Sequence, residues 1–507
     1  MQAPKQLPRL AYPMNPDTSN LSTTRLARAL VALAVVTMFG ACAPLGTQRQ
    51  PDPMLDAAAV GLQGQPGPNI DPQWWHAFGD AQLNALVEKS LANNPSLRVA
   101  QARLTRAQSA ADSVRGNDLP QVGLQADLTH QLYPLNYIYP PPIGGSILDS
   151  GDLQLNASWE LDFFGKNRAA LESALGQARA AQADAQAARS LLATNVVRSY
   201  FQWLKWNAQR EIAEAILAGR EQSRALVRDR LKAGLDTQLE LQQSNAAIPD
   251  ARLQIEQITE QQNLALNALA ALAGQPKEPL QLVAQPAAEF KSGAATIAKP
   301  QSIPMDLLGR RADVEAARWR VEAATRDVAN ARTLFYPNIN LVAFAGLQSI
   351  GLEKVVSSGS EQWGVGPSIR LPIFDAGHLQ ANLNVKSSDL DAAIASYNAQ
   401  VIEAVHDVAD HITSSRAIER QQAEQALALS NAEDRYAIAQ QRYQAGLVTY
   451  LTVLNARVTL LDQQRQAVDI SARARDAQIG LIHSLGGGYT SAAPADSAPS
   501  ISTSLQP

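Results

Sequence analysis

The segment Arg230-Leu-Lys-Ala-Gly-Leu-Asp-Thr237 returns 212 residues later as Arg442-Tyr-Gln-Ala-Gly-Leu-Val-Thr449, and Leu269 and Gly274 return at the same offset as Leu481 and Gly486. Upstream, Ala100, Arg103, Leu104 and Ala107 match Ala317, Arg320, Val321 and Ala324 at an offset of 217, and both stretches end at a proline, Pro120 and Pro337. Independent anchors at near-constant spacing mean that one structural unit is used twice. Any fold must be buildable from one half and then built again.

Each half carries two segments of strict alternation. Val122, Leu124, Ala126 and Leu128 alternate with Gln121, Gln125, Asp127 and Thr129; Leu153, Leu155, Ala157, Trp159 and Leu161 alternate with Gln154, Asn156, Ser158, Glu160 and Asp162. The second half repeats this with Ile339, Leu341, Ala343, Ala345 and Leu347 and with Trp363, Val365, Ile369, Leu371 and Ile373, although Val342 and Phe344 blur its first segment. Period two predicts strands with one apolar and one polar face. About ten residues is also the length with which a tilted strand crosses the apolar part of a bilayer, its polar face turned to a wet lumen. Pattern alone admits a small soluble sandwich as well. The long loops 132–151 and 349–362 argue for the membrane, as do Phe163, Phe164, Phe335, Tyr336 and Phe374, which collect at the other strand ends like an interfacial belt.

After each strand pair comes helix of unusual length. Residues 166–233 and 376–445 lack proline and place apolar residues three and four apart, for example Leu192, Val196, Val197, Leu204, Ile212 and Ile216. At 1.5 Å per residue each helix is about 100 Å long, too long for the core of a globular domain. A composition of 46% hydrophobic but only 5% aromatic residues suits such closely packed helices. Each ends in an Ala-Gly-Leu turn and returns as a shorter helix, 237–273 or 449–485, on which the leading helices 97–117 and 313–335 are expected to stack end to end. Pro249 should kink the first returning helix or cost it one backbone bond. An ordinary all-α bundle would account for the helices and leave the alternating segments unexplained.

The N-terminus reads as an address. Arg25 and Arg28 precede an apolar run, Ala29–Phe39, of about 11 residues, roughly half what a membrane-spanning helix needs. Phe39-Gly40-Ala41-Cys42 resembles the lipobox of bacterial lipoproteins, with Phe39 where Leu or Val is usual. Residues 1–41 are therefore expected to be a signal peptide, with Met1 or Met14 as start, and Cys42 a lipidated terminus; a plain signal peptide with an incidental cysteine is the competing reading. Cys42 is the chain's single cysteine, so no internal disulfide framework exists. Ala43, which is not Asp, fits sorting onward to the outer membrane. Residues 42–73 read as a tether, 74–274 as the first repeat, 275–303 as an irregular equatorial crossing, 304–488 as the second repeat and 489–507 as a disordered tail.

Several motifs together resemble the outer-membrane factor (TolC-like) family and its lipoprotein branch, which serves resistance-nodulation-division (RND) efflux pumps. They are Trp74-Trp75-His-Ala-Phe78 with Leu83 and Leu86, Asn94-Pro95, Leu161-Asp162-Phe163-Phe164-Gly165, Phe335-Tyr336-Pro337 and the two Ala-Gly-Leu turns. The resemblance implies an α+β chain that gives four strands to a trimeric 12-stranded outer-membrane barrel, continued by a helical barrel through the periplasm. From the residues themselves, four strands cannot close a barrel, and open edges are not tolerated in lipid, so several chains must share one. Two departures stand out: Arg311-Ala312-Asp313 replaces the usual Arg-Pro-Asp, and Gln440 lies near the place of an acidic gate residue in related channels.

The turns Gly234, Leu235, Thr237 and Gly446, Leu447, Thr449 are explained as tight reversals, with glycine ending one helix and threonine capping the next. The resemblance adds that they dock a periplasmic adaptor. Arg228, Asp229, Arg230, Asp236, Asp434 and Arg442 are gate candidates, able to form charged rings at a channel mouth, although a solvated helix face explains them too. A net charge of −4 excludes a strongly basic nucleic-acid surface. No nucleotide or metalloprotease motif occurs, and His406, Asp410 and His411 read as a charged helix face rather than a metal cluster, so no cofactor and no enzymatic activity are expected. The leading expectation is a passive exit channel for small toxic compounds, working with an adaptor and an inner-membrane RND-type transporter. A type I protein-secretion duct is the alternative within this class, and a periplasmic coiled-coil scaffold the alternative outside it.

Overall fold

The computed structural model describes residues 52–62, 66–275, 280–284, 286, 290 and 303–489. The expected signal peptide, Cys42, most of the crossing and the tail after Tyr489 lie outside the described residues. In chain order the main elements are α1 (Ala81–Asn93), α2 (Pro95–Arg115), β1 (Gln121–Leu132), β2 (Ile147–Leu161), α3 (Lys166–Lys232), α4 (Gln238–Leu272), α5 (Leu307–Arg310), α6 (Ala312–Thr333), β3 (Asn338–Ile350), β4 (Glu361–Arg370), α7 (His378–Gln444) and α8 (Tyr450–Ser484). Both long helices have 67 residues and both returning helices 35, so the repeat read from the sequence is a repeat of architecture.

Two units can be distinguished. One comprises Asn117–Arg168 and Val328–Lys386 and holds the sheet, whose order is β1-β2-β3-β4 with every pair antiparallel. Its strands follow the alternation, although β4 stops at Arg370, before Leu371 and Ile373, where Pro372 cannot donate to a ladder. Phe164 and Tyr336 stack at 5.1 Å, whereas Phe335 is only 4% exposed and so belongs to the interior rather than to an aromatic belt.

The other unit comprises the described residues within 52–116, 169–327 and 387–489. Its core gathers around the middle of α3, where Val196, Val197, Tyr200, Trp203 and Leu204 meet Trp75, Leu83, Val87, Leu269, Leu307, Ile479 and Ile482. Trp74 and Trp75 are thus core residues of the short 3-10 turn Trp74–Phe78. Asp80 caps α1 by accepting from the amides of Gln82 and Leu83, and also accepts from the Tyr200 hydroxyl at 2.7 Å, tying α1 to α3. Burial and Asp80 together push the Tyr200 phenol well above its ordinary value. Helices α3 and α6 approach closely because Gly176 has no side chain: a β-carbon there would lie 3.0 Å from that of Ala323.

The expected end-to-end stacking is present in both repeats. Asn94, which caps α2, donates its side-chain amide to the carbonyl of Leu272, the last residue of α4. Gly486, just past α8, lies against the carbonyl of Arg310, just before α6. Pro249 sits inside α4, which runs on unbroken through it, so its effect is the one missing donor and not a break.

Residues 52–73, expected as an extended tether, are fastened where they are described. Asn398 on α7 accepts from the Leu55 amide at 2.8 Å and donates to the Pro53 carbonyl at 3.1 Å. Asp306 accepts from Gly67, Arg310 donates to the Pro68 carbonyl, and Leu62 and Ile70 are buried. Arg311, 6% exposed at its side chain, holds Asp313 through Nε (3.1 Å) and Nη2 (2.7 Å) and Asp407 through Nη1 (2.9 Å). This two-carboxylate clasp joins the start of α6 to α7, and Gln400 donates to the same Asp313.

Candidate channel wall and helix tips

Directly paired residues share a face, so the register of the sheet sorts its side chains. One face carries Leu124, Leu155, Ala345 and Trp363 in one row and Val122, Ala157, Ala343 and Val365 in the next. Leu124, Leu155, Trp363 and Val365 are exposed, a continuous apolar surface of a size that water does not leave uncovered. The opposite face carries Asp127, Asp152 and Gln348 in one row and Gln125, Gln154 and Gln362 in another. Here side chains bond to one another, Gln125 to Asp127 at 2.7 Å and Gln362 to Asp152 at 3.2 Å. β1 and β4 each have a partner on one side only. An apolar face, a polar face and two open edges together make a wall segment that is complete only when further copies pair with it.

Both Ala-Gly-Leu turns adopt the expected geometry. Gly234 and Gly446 have φ of 70° and 75°, the left-handed conformation that a β-carbon penalises, and the following amides of Leu235 and Leu447 reach back to the carbonyls of Arg230 and Arg442. Leu235 and Leu447 are 65% and 72% exposed. The caps differ between the tips. Thr237 forms a capping box with Glu240, whose carboxylate accepts from the Thr237 amide at 2.8 Å and also from its hydroxyl. Thr449, expected to cap in the same way, makes no capping bond; its hydroxyl meets that of Thr452 at 3.3 Å, and Thr452, standing where Glu240 stands in the first tip, supplies no carboxylate for a capping box.

The gate candidates also divide. Arg230 grips Asp236 with two parallel bonds of 2.9 and 3.0 Å, and Asp229 pairs with Lys232, so these charges are engaged within their own tip. The contact holds the Asp236 carboxyl below the usual carboxylate range, the hydrogen bond from Arg230 being the main cause. In the second tip Val448 replaces Asp236. Arg442, Arg228 and Asp434 are exposed. Nothing in local sequence could have announced that Arg230 and Asp236 meet, except that their spacing spans the turn.

Among the described residues, no group of His, Cys, Asp and Glu is arranged to hold a metal ion, and His411 packs instead on Gly480. Also among them, no helix is long and apolar enough to cross a membrane.

Comparison with known proteins meets this geometry. The family described as outer membrane efflux protein matches residues 86–275 and 303–487, one stretch per repeat. A putative multidrug resistance outer membrane protein of Escherichia coli (strain K12), MdtQ, is 31% identical over 480 residues, 91% of this chain and 98% of that protein. The solvent efflux pump outer membrane protein SrpC of Pseudomonas putida is 29% identical over 461 residues, 89% of this chain and 97% of that one. Among solved structures, the outer membrane protein VceC of Vibrio cholerae superposes with a TM-score of 0.72 at 35% identity, covering 84% of this chain and all of that one. The outer-membrane channel OprN gives a TM-score of 0.75 at 29% identity, with 88% and 99% covered.

Proposed function

The chain belongs to the outer membrane efflux protein family, and from that premise we propose that it is the lipid-anchored exit duct of a three-part export system. The carrying observation is the sheet, apolar on one face and polar on the other, with both edges open. In a bilayer every backbone donor and acceptor must be paired, so β4 of one copy has to meet β1 of the next, and three copies close a wall of twelve strands. The apolar face then meets lipid and the polar face lines a water-filled passage. Such a passage performs no chemistry and consumes no energy. An inner-membrane RND-type transporter supplies the drive, and a periplasmic adaptor joins the two.

In this reading residues 1–41 direct export and are removed, and Cys42 carries the acyl chains that, together with the barrel, hold the protein in the outer membrane. Residues 42–73 link that anchor to the first repeat (74–274), residues 275–303 cross to the second (304–488), and 489–507 form a tail. The exposed Leu235 and Leu447 at the tips are the surface offered to the adaptor. Small toxic compounds are the favoured cargo over secreted proteins because the Escherichia coli and Pseudomonas putida relatives are described by multidrug resistance and solvent efflux.

Outer-membrane fractions should contain a trimer that dissociates on heating, and palmitate should label the wild type but miss Cys42→Ser. A protein recovered as a soluble monomer after expression with an intact leader would refute the duct. Equal labelling of both forms would remove only the anchor.

A further inference from the structure

The polar face of the sheet is interrupted in its middle. Gly123, Asn156, Phe344 and Gly364 stand side by side across β1 to β4, between the row Gln125, Gln154, Gly346, Gln362 and the row Gln121, Ser158, Val342, Gly366. Phe344 and Val342 thus occupy a face that is otherwise amide, hydroxyl or glycine through these rows. The Phe344 ring lies across β4: a β-carbon on Gly364 would come 2.6 Å from its Cε1 and 2.8 Å from its Cζ. Around the ring the wall is main chain. At Gly346 the space a β-carbon would need is taken by the backbone of β2, with the Gln154 Cα at 2.8 Å, while at Gly123 and Gly366 nothing lies within 4 Å. The ring therefore lies on bare strand, with open ground beside it and Val342 next along β3.

We propose that Phe344, laid over Gly364 and extended by Val342, is a specificity-determining contact of the passage that takes the phenyl or alkyl part of small neutral compounds in transit. The inference rests on the duct reading above, which turns this face to the lumen. A wall of amides and carboxylates keeps its own water and offers an apolar solute nothing to exchange for hydration. A ring that keeps part of its surface open does, with the more exposed Val342 beside it, and the flat glycine surround lets a second ring come alongside it offset or edge-on. Passage also requires release, and a single ring per chain on an open wall binds weakly enough to allow it. Shielding of the Gly364 backbone by an aromatic neighbour is the purely structural use of the same geometry, and it makes a different prediction.

The test uses the full chain reconstituted in planar bilayers, with KCl conductance as the measure of an open duct and benzyl alcohol as the apolar probe. Phe344→Asn should weaken the probe's reduction of the current about fivefold, the worth of one aromatic contact, while KCl conductance and the heat stability of the trimer stay at wild-type levels. Phe344→Leu, which keeps apolar bulk, should fall between, and it is the deciding variant if Phe344→Asn does not assemble. Equal probe sensitivity in wild type and both variants overturns the proposal. So does lowered trimer stability with unchanged probe sensitivity, which is the signature of a backbone cover. A wild type with no KCl conductance at all falls on the duct reading itself and is distinguished from these outcomes by that control.

Discussion

Gly486 lies against the main-chain carbonyl of Arg310, and 212 residues earlier Gly274 stands in the same relation to Asn93. The glycine after each returning helix is the point where that helix abuts the leading helix of its own repeat. Both have positive φ, 111° and 68°, so an added β-carbon is penalised by conformation as well as by contact. Gly486→Ala should cost about 2–3 kcal/mol and Gly274→Ala about 1–2 kcal/mol. Gly116→Ala, where φ is −58° and nothing lies within 4 Å, should be neutral or slightly stabilising. Thermal melting of the detergent-solubilised trimer ranks the three.

Arg311 is the buried side of the clasp on Asp313 and Asp407. Burial alone would lower its pKa, but the two carboxylates raise it, and Arg311 in turn holds the Asp313 carboxyl down against its own burial. Arg311→Met should cost about 3 kcal/mol, the low end for a broken buried pair because both carboxylates keep some water. The loss should appear in chemical denaturation. Asp407→Asn, which spares the Asp313 bonds, should cost less.

Acid should act on the helical unit before it reaches these carboxylates. Burial pushes His483 and His411 below the ordinary imidazole value of 6.5, and the positive charges of Arg311 and Arg198 push the same way, against Asp313, Asp407, Asp476 and Asp410. Both rings are neutral in the fold, whereas in the unfolded chain they take up protons near pH 6.5. Their contribution is complete above that pH and is lost as pH falls through the lower folded values. The contribution of Asp313, whose folded pKa lies below 3.8, is lost only at stronger acid. The melting temperature should fall as pH drops from 6.5 to 5, and His411→Gln with His483→Gln should flatten that slope.

Much of the architecture was legible because it is periodic. Alternation such as Leu153, Leu155 and Ala157 sets strand faces, and the offset between the two Ala-Gly-Leu turns sets the repeat, so local patterns carry most of the fold. What stayed hidden depends on residues far apart in sequence. Asn398 fastens Pro53 and Leu55 across more than 340 positions, and no periodicity in 52–73 announces it. Phe335 reads as a belt residue because it stands beside Tyr336 at a strand end, and only packing shows that it turns inward. Thr449 sits in the same motif as Thr237, yet its capping box fails at Thr452, three residues outside the matched stretch. Phe344 appeared only as a blemish in an alternating pattern, and it took the cross-strand register to put Gly364 beneath it.

The two faces of β2 should respond oppositely to charge. Leu155 is on the apolar face and Asn156 on the polar one. With the apolar face in lipid, Leu155→Arg should cost about 2–4 kcal/mol near mid-bilayer, seen as a lower temperature of trimer dissociation and less protein in the outer membrane. Asn156→Arg should leave both nearly unchanged. Equal tolerance of the two substitutions would remove the lipid assignment.

The tips separate turn from docking surface. Leu235 and Leu447 contribute their amides to the reversals, and any residue can supply those, whereas their exposed side chains serve the fold little. Leu235→Ser with Leu447→Ser should therefore shift trimer melting by no more than about 0.5 kcal/mol per site, the usual range for surface changes. If the apolar tips are the adaptor's landing surface, the same double variant should lose drug resistance and adaptor cross-linking. Asp236→Val supplies the contrast, because it gives the first tip the residue that the second has at Val448 and removes the partner of Arg230. It should speed amide exchange at Leu235–Thr237 through loss of the clip, yet keep the apolar surface and with it resistance. Resistance that survives in the double leucine variant would leave the tips as turns and nothing more.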